Sequence, residues 1–428
     1  MWRGQIRSAG RRRLSALAFG LSAAALGAAG CTAVAAKATP APILVITPAN
    51  GSSGVVPGAA INVAAKHGKV QDVAVTTASG HVPGHLAANG IWQSTRPLAT
   101  DTSYTVTATA IGTNHKKVTA SSTFQTLTPQ RLFKAEITTL GTDASVRSEI
   151  VPTRQYGVGI PITIMFSRAI SNKAAVERAI QLRTSKPVVG AWYWQDDKTV
   201  IFRPRQYWPQ NTQVTVDGNF DGVQASPGIY GKADVHLSFS IGPSLIVVAS
   251  TRHHYMNVYY KNRLFGRWPI STGRPGDDTP DGTYLTTFKN NPQHMVGPGY
   301  NLWVPWSVDV TYSGDFIHDA FWSVGEQGFV NVSHGCINTS PAHAETYYKM
   351  ERPGDPVTIT GSPAAGTPGN GWTQWFIPWS KWLAGSATGD AVVAGPTGSS
   401  LVSPASAPAP AGSGPLYAPH SGNARANT

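Results

Sequence analysis

Ser333-His334-Gly335-Cys336-Ile337-Asn338, with His318 upstream, is the stretch on which the reading of the chain turns. Cysteine occurs only twice in 428 residues, at Cys31 and Cys336. A lone thiol beside His334 and Gly335, with His318 in reach, is the usual make-up of a thiol nucleophile. The thiolate is the reactive form, and an adjacent imidazole lowers the thiol pKa. The backbone N–H groups of Gly335 and Cys336 could hold an oxyanion. The competing reading is a small buried Cys in a strand or turn, which is common for a free thiol. Zinc is a third, because His and thiolate are zinc ligands, but a third and fourth ligand at metal spacing are missing, so no metal or other cofactor is expected.

His318, fourteen residues, then the block 333–338 resembles the signature of the L,D-transpeptidases, the penicillin-insensitive cross-linkers of bacterial peptidoglycan. The similarity extends further. Ser271-Thr272-Gly273 and Thr279-Pro280-Asp281-Gly282-Thr283-Tyr284 resemble the family's loops leading into the cleft. Tyr300 falls on a tyrosine that lines it, Ser313-Gly314 on its substrate-contacting pair, and Trp322 also matches. Lys186–Trp194 and Phe202–Pro209 resemble the Ig-like domain that precedes the catalytic domain in actinobacterial members.

The resemblance implies an acyltransferase with Cys336 as nucleophile and His318 as its base. Asp319 would orient that base, by its carbonyl or its carboxylate. His334 and Ser333 would shape the pocket, and the Gly335 and Cys336 N–H groups with the Tyr300 hydroxyl would stabilise the oxyanion. Tyr300, Ser313, Gly314, Trp322, Ser333 and Asn338 would bind substrate, Asn338 alternatively fixing the loop. The partners implied are two peptidoglycan stem peptides. One is a tetrapeptide donor that loses D-alanine; the other is an acceptor that offers a diamino-acid side-chain amine. The product is a 3→3 cross-link, and carbapenems are expected to acylate the thiol. Water in place of the acceptor would make the same site an L,D-carboxypeptidase.

The gross numbers fit this setting. Length points to two to four domains, each able to bury a core. Gly 44 and Pro 32 point to turns and β structure, and charged residues are only 13%. Net charge is +12; Arg3, Arg7, Arg11, Arg12 and Arg13 carry five of those charges in a segment expected to be removed, leaving +7. That balance suits an anionic wall polymer. Nucleic acid is not expected, because no module and no dense Lys/Arg stripe is present.

In chain order, residues 1–30 read as an export signal, with a basic start and an apolar stretch too short for a confident membrane span. Arg11-Arg12-Arg13 loosely resembles a twin-arginine signal. Ala28-Ala29-Gly30-Cys31 resembles a lipoprotein cleavage box with Cys31 acylated, although Ala28 stands where Leu is usual; ordinary signal cleavage is the alternative. The expectation is a monomer, lipid-anchored on the plasma membrane and facing the wall. Residues 31–42 form a tether. Residues 43–129 and 130–242 alternate as strands do and are expected to be two immunoglobulin-like sandwiches, with Tyr104 as a corner tyrosine. A short helix is expected at Asn172–Ile180, capped by Ser171 or Asn172. The aromatic stripe Trp192-Tyr193-Trp194 reads as core or as a glycan platform.

The fold class is therefore mainly β, with a catalytic domain at 243–362 and a helix at Pro341–Lys349. Residues 363–385 hold Trp372, Trp375, Trp379 and Trp382 at helical spacing, although Pro378 opposes one continuous helix. They are expected to fold back as a clasp on the catalytic domain. Residues 386–428 are Gly/Ala/Ser/Pro-rich and are expected to be disordered. A different class of function, a lipid-anchored wall-binding protein of Ig-like modules, would account for 43–241 but leaves His318 and Cys336 unexplained.

Overall fold

Alternation along Ser103–Gly112 is strict: Tyr104, Val106, Ala108 and Ala110 are buried, while Ser103, Thr105, Thr107, Thr109 and Ile111 between them are half-buried or exposed. Side chains of a strand alternate between faces, so this pattern fixes one face to a core. The computed structural model describes residues 40–138, 155–297 and 299–409. Cys31, the export signal and most of the tether lie outside them, as does the end of the tail. Among the described residues no helix is long and apolar enough to cross a membrane.

The first sandwich pairs two four-stranded sheets around Ile61, Val63, Val75, Trp92, Val106 and Phe124. The Tyr104 hydroxyl accepts from Ala99 N–H at 2.6 Å, the backbone tie expected of a corner tyrosine. This unit abuts the next through an Arg96–Asp234 ion pair and through Gly222, where an added Cβ would lie 1.9 Å from Leu98 O.

The second sandwich sets a sheet containing Ile162–Phe166, Thr199–Pro204 and Val188–Trp194 against one containing Ile180–Thr184, Gln213–Gly218 and Val235–Ile241. Helix Lys173–Arg178 is capped by Asn172, whose side chain accepts from Ala175 N–H. Trp192 and Trp194 are buried in this core, which rules out an exposed glycan platform. Trp194 Nε1 donates to Glu177 Oε1 at 2.7 Å.

The tail departs from expectation. Ala391–Gly395 and Gly398–Val402 are not disordered: they form a hairpin that extends the sheet beside Val188–Trp194. Its Ala391, Val392 and Ala394 are buried. Composition misled because small residues suffice on a strand that adds to an existing apolar face. Buried Glu177 fastens the approach, accepting from Ser386 Oγ, Ala387 N, Thr388 N and Thr388 Oγ1 at 2.6–3.3 Å.

The tryptophan segment folds back, but mainly onto the second sandwich rather than the catalytic domain. Trp372, Trp375 and Trp382 are buried and Trp379 half-buried. Trp375 Nε1 donates to Gly159 O at 2.9 Å and Trp382 Nε1 to Ala191 O at 3.0 Å. Arg203, itself buried, lies over Trp375 and Trp382 at 4.5 and 4.6 Å. The polar ends of these indoles need partners when buried, and this sandwich supplies the backbone carbonyls. The helical period is interrupted at Pro378, between turn Gln374–Phe376 and helix Trp379–Ala384. Trp372 touches the catalytic side, its carbonyl accepting from Leu285 N–H at 3.2 Å.

The catalytic unit has a five-stranded sheet, Arg263–Pro269, Tyr255–Tyr260, Leu245–Ser250, Pro356–Thr360 and Gly282–Leu285, in that order. A four-stranded sheet, Lys289–Asn290, Ser307–Asp309, Phe316–Asp319 and Ile337–Thr339, shares its core. Helix Pro341–Met350 follows, with Ser340 as cap and Pro341 at its first position, where a missing N–H costs nothing.

Candidate active site

Strand Phe316–Asp319 runs parallel to Ile337–Thr339, with Ile317 opposite Ile337 and His318 opposite Asn338. Both strands are held by Ile317 and Ile337 in the core. Cys336 sits one residue before its strand and therefore level with Phe316. Its sulfur lies 3.4 Å from Phe316 N, which donates to it, and 3.6 Å from Gly314 O, which accepts the S–H.

The loop carrying Cys336 is stapled from inside. Gly335 has φ +120°, and a Cβ there would lie 2.3 Å from Asp315 Oδ1, so the turn requires glycine. Ser333 Oγ donates to Cys336 O at 2.6 Å and accepts from Gly335 N–H at 3.2 Å. Thr279 Oγ1 donates to Gly335 O at 2.6 Å and accepts from Gly273 N–H at 2.8 Å. Asn338 Nδ2 donates to Ser323 Oγ at 3.0 Å. Ser333 and Asn338, expected to bind substrate with Ser333 also shaping the pocket and Asn338 alternatively fixing the loop, are 6% and 3% exposed with their polar groups engaged internally. They shape the loop from behind. The Gly335 N–H, expected in the oxyanion hole, is already bonded to Ser333.

His318 is buried, and its Nδ1 lies 2.7 Å from Asp319 O. A carbonyl can only accept, so Nδ1 carries the proton and Nε2 is left basic. The carbonyl, not the carboxylate, orients the ring; Asp319 Oδ1 has no hydrogen-bond partner. The ring stacks on Trp322, centroids 5.9 Å apart. Burial pushes the imidazole down to about 4, against the opposing pull of the Asp319 carbonyl.

The thiol is pushed up to about 12, chiefly by desolvation of the sulfur although the residue keeps part of its surface exposed, and further by Asp315 and Asp309, with the Phe316 N–H pulling the other way. The resting pair is therefore neutral thiol and neutral imidazole. An adjacent His lowers a thiol pKa only when it is charged, and here burial wins over that expectation. The thiol is not hydrogen-bonded to His318; its partners are Gly314 O and Phe316 N.

Hairpin Gln293–Gly297/Tyr300–Val304 stands over this floor. The Tyr300 ring lies against Gly297, where a Cβ would sit 2.4 Å from it, and 5.1 Å from the exposed His334 ring. Its hydroxyl is pushed up by burial, then by Cys336, Asp315 and Asp277. Ser313 and Gly314 are exposed at the rim. A cleft of about 390 Å³ opens beside the nucleophile loop, lined by Asp277, Asp278, Ser313, Asp315, His334 and Gly335 among others. Among the described residues no three His, Cys, Asp or Glu are placed to hold a metal ion.

Three contributors were not singled out from the sequence: Asp315, Thr279 and Asn370. Asn370 Nδ2 donates to Ser313 Oγ and its Oδ1 accepts from Ser313 N–H, both at 2.9 Å. Thr279 falls in one of the loops read as leading into the cleft, without a role of its own, and Asp315 stands out only as a charge just before strand Phe316–Asp319. Asn370 lies in a Gly/Pro loop with no pattern of its own.

Residues 243–359 match the family described as the L,D-transpeptidase catalytic domain, and residues 52–224 match the bacterial Ig domain. L,D-transpeptidase 2 of Mycobacterium tuberculosis is 32% identical over 405 residues, which is 88% of this chain and 96% of that protein. L,D-transpeptidase 5 of the same organism is 34% identical, over 88% of this chain and 85% of the relative. L,D-transpeptidase 1 is 34% identical over 48% of this chain and 80% of its own length. With a match of that identity across nearly the whole length of both chains, and a free thiol and a carbonyl-oriented histidine on neighbouring strands inside the matched domain, this chain belongs to the L,D-transpeptidase family.

Proposed function

We propose that this enzyme joins peptidoglycan stem peptides by 3→3 cross-links through a thioester on Cys336. The observation that carries the reading is the sulfur of part-exposed Cys336 seated between Gly314 O and Phe316 N, next to the cleft lined by Gly335 and Asp315, with a histidine of the neighbouring strand whose free nitrogen is basic. His318 Nε2 takes the thiol proton as sulfur attacks the carbonyl of the donor's third residue. The Cys336 N–H and the Tyr300 hydroxyl hold the oxyanion, roles supported by the engagement of the Gly335 N–H elsewhere. His318 returns the proton to the leaving D-alanine. It then takes one from the acceptor amine, which attacks the thioester and frees the thiol. Ser313, Gly314, His334 and Trp322 flank the substrate. Asp319 acts through its carbonyl, which holds the tautomer. Carbapenems, with a strained carbonyl, acylate the same sulfur.

Incubating the purified ectodomain with disaccharide-tetrapeptide and reading the products by mass spectrometry tests this. A dimer lacking one D-alanine is expected. Tripeptide alone would make the enzyme an L,D-carboxypeptidase, and unchanged substrate would sink the reading.

The enzyme acts as a monomer anchored to the outer face of the plasma membrane by lipid on Cys31, with the two sandwiches as a spacer reaching into the wall. Support comes from the basic and apolar start of the chain and the residues preceding Cys31. Two acyl signals suffice for stable anchoring where one does not. Cys31→Ala is expected to move the protein from the membrane to the soluble fraction on fractionation. A mutant as membrane-bound as the wild type would remove the anchor.

A further inference from the structure

The thiol is bracketed by the two peptide groups of a single residue. Gly314 O belongs to the peptide that ends at Asp315 N, and Phe316 N to the peptide that begins at the Asp315 carbonyl carbon. Sulfur lies 3.6 Å from the first and 3.4 Å from the second. The first favours S–H, and the second favours a charged or lone-pair-bearing sulfur. Asp315 is itself tied down. Its Oδ2 accepts from Thr311 Oγ1 at 2.7 Å and from Ser313 Oγ at 3.2 Å, and its N–H donates to Thr311 Oγ1 at 3.0 Å. Its Oδ1 faces Gly335, the neighbour of the nucleophile.

Burial pushes the Asp315 carboxyl up, the hydroxyls of Thr311 and Ser313 pull it back towards the charged form, and among the described residues no cation is paired with it. Asp309 approaches from strand Ser307–Asp309 and Tyr284 from strand Gly282–Leu285. Tyr300 comes from the overhanging hairpin, sharing its surroundings with Cys336 and Asp277. Asp278 and His334 line the same cleft, and Arg274 donates to Asp277 at its edge at 2.8 Å without pairing with Asp315.

We propose that Asp315 is a positioning residue for the nucleophile: its flanking peptides seat the Cys336 sulfur, and its carboxylate opposes a free thiolate in the empty site. The inference rests on Cys336 being the nucleophile of the reaction proposed above. A like charge a few ångströms from an ionising group disfavours its charged form, and a partly desolvated cleft enlarges the effect. Ionisation is thereby tied to substrate. As the S–C bond forms, the electron pair passes to the carbonyl oxygen and the proton to His318 Nε2, so no free thiolate accumulates. Oxidants attack the thiolate form, so a thiol kept protonated at rest survives outside the cell while remaining competent in the Michaelis complex.

The test is the rate of Cys336 alkylation by iodoacetamide in the folded protein, followed across roughly pH 7 to 9 where the thiolate is a minor form, with the adduct mapped to Cys336 by peptide mass. Asp315→Asn keeps the shape and removes the charge. Its alkylation rate at each pH in that window is expected to rise about ten-fold, as a fall of about one unit in the thiol's pKa requires. Asp315→Glu restores the charge and should return the rate to the wild-type value even if cross-linking suffers. Should the amide variant fail to fold, Asp315→Ser removes the charge with a smaller side chain and must raise the rate the same way. A folded, charge-free variant alkylated at the wild-type rate across the window overturns the proposal, since a purely structural residue would alter melting temperature and not the thiolate fraction. Loss of cross-linking by the wild-type enzyme with this alkylation profile intact would instead count against the function proposed above.

Discussion

Replacing Cys336 with serine should lower both carbapenem acylation and 3→3 cross-linking by on the order of 10⁴-fold or more, the scale of removing an acyl-transfer nucleophile. The site is built for sulfur. Gly314 O and Phe316 N stand at 3.6 and 3.4 Å, distances suited to a sulfur and too long for good hydrogen bonds to an oxygen. A serine hydroxyl would sit loosely there and is far harder to ionise. The intact wild-type protein should gain the mass of one carbapenem on Cys336, and the mutant should gain none. His318→Ala should slow acylation by about 10²- to 10⁴-fold, the usual worth of a positioned base, with the fold retained. Cross-linking by the serine variant at a rate near that of the wild type would defeat the mechanism.

The neutral resting pair adds a pH signature to the same experiment. With His318 pushed down to about 4, its Nε2 is mostly unprotonated from about one pH unit above that upward. A buried base loses activity only as pH falls through its own folded value. The acid limb of the acylation rate is therefore expected near 4 and not near the ordinary histidine value of 6.5. The thiol, pushed up to about 12, contributes no alkaline limb in the working range. A rate that instead halves near 6.5 would show an exposed or charged imidazole in solution.

The chemistry of this site was more legible in the sequence than its architecture. Cys336 and His318 come together because Cys336 immediately precedes strand Ile337–Thr339, which pairs in parallel with the strand of His318, His318 opposite Asn338. What no motif could decide was which atom orients His318, since Asp319 offers both a carbonyl and a carboxylate; backbone geometry chose the carbonyl. Between loop-shaping and substrate-binding roles for Ser333 and Asn338, both open in the sequence, only the structure chose, for a related reason. A polar residue in a loop looks the same whether its hydroxyl faces a substrate or its own backbone. The titration of the pair was misjudged because burial is a tertiary property, absent from any local pattern. The hairpin 391–402 was missed because Ala, Gly and Val in a Gly/Ser/Pro-rich context carry little pattern until the edge of strand Val188–Trp194 is there to receive them.

Truncating the chain after Gly361 should cost more stability than any point substitution, and the cost should fall on the second sandwich. Trp372, Trp375 and Trp382 are 0%, 2% and 0% exposed. Losing one buried aromatic side chain typically costs about 3–5 kcal/mol. Removing the segment also leaves Arg203 with no rings over it and no acceptor at Ile377 O, to which it donates at 2.6 Å. Glu177 would lose four of its five hydrogen bonds, leaving only Trp194 Nε1. Strand Val188–Trp194 would become an uncovered edge, a template for pairing with other chains. The expected product melts at a much lower temperature by calorimetry and aggregates on concentration. Any folded fraction should also bind stem peptide less well, because Asn370 no longer holds Ser313 at the rim of the cleft. Asn370→Ala separates the two effects: it should raise KM for the tetrapeptide while leaving the melting temperature within about a degree of wild type, since the residue lies at the surface. A truncated protein with unchanged melting temperature and solubility would mean that the tryptophan segment rests on the body without holding it.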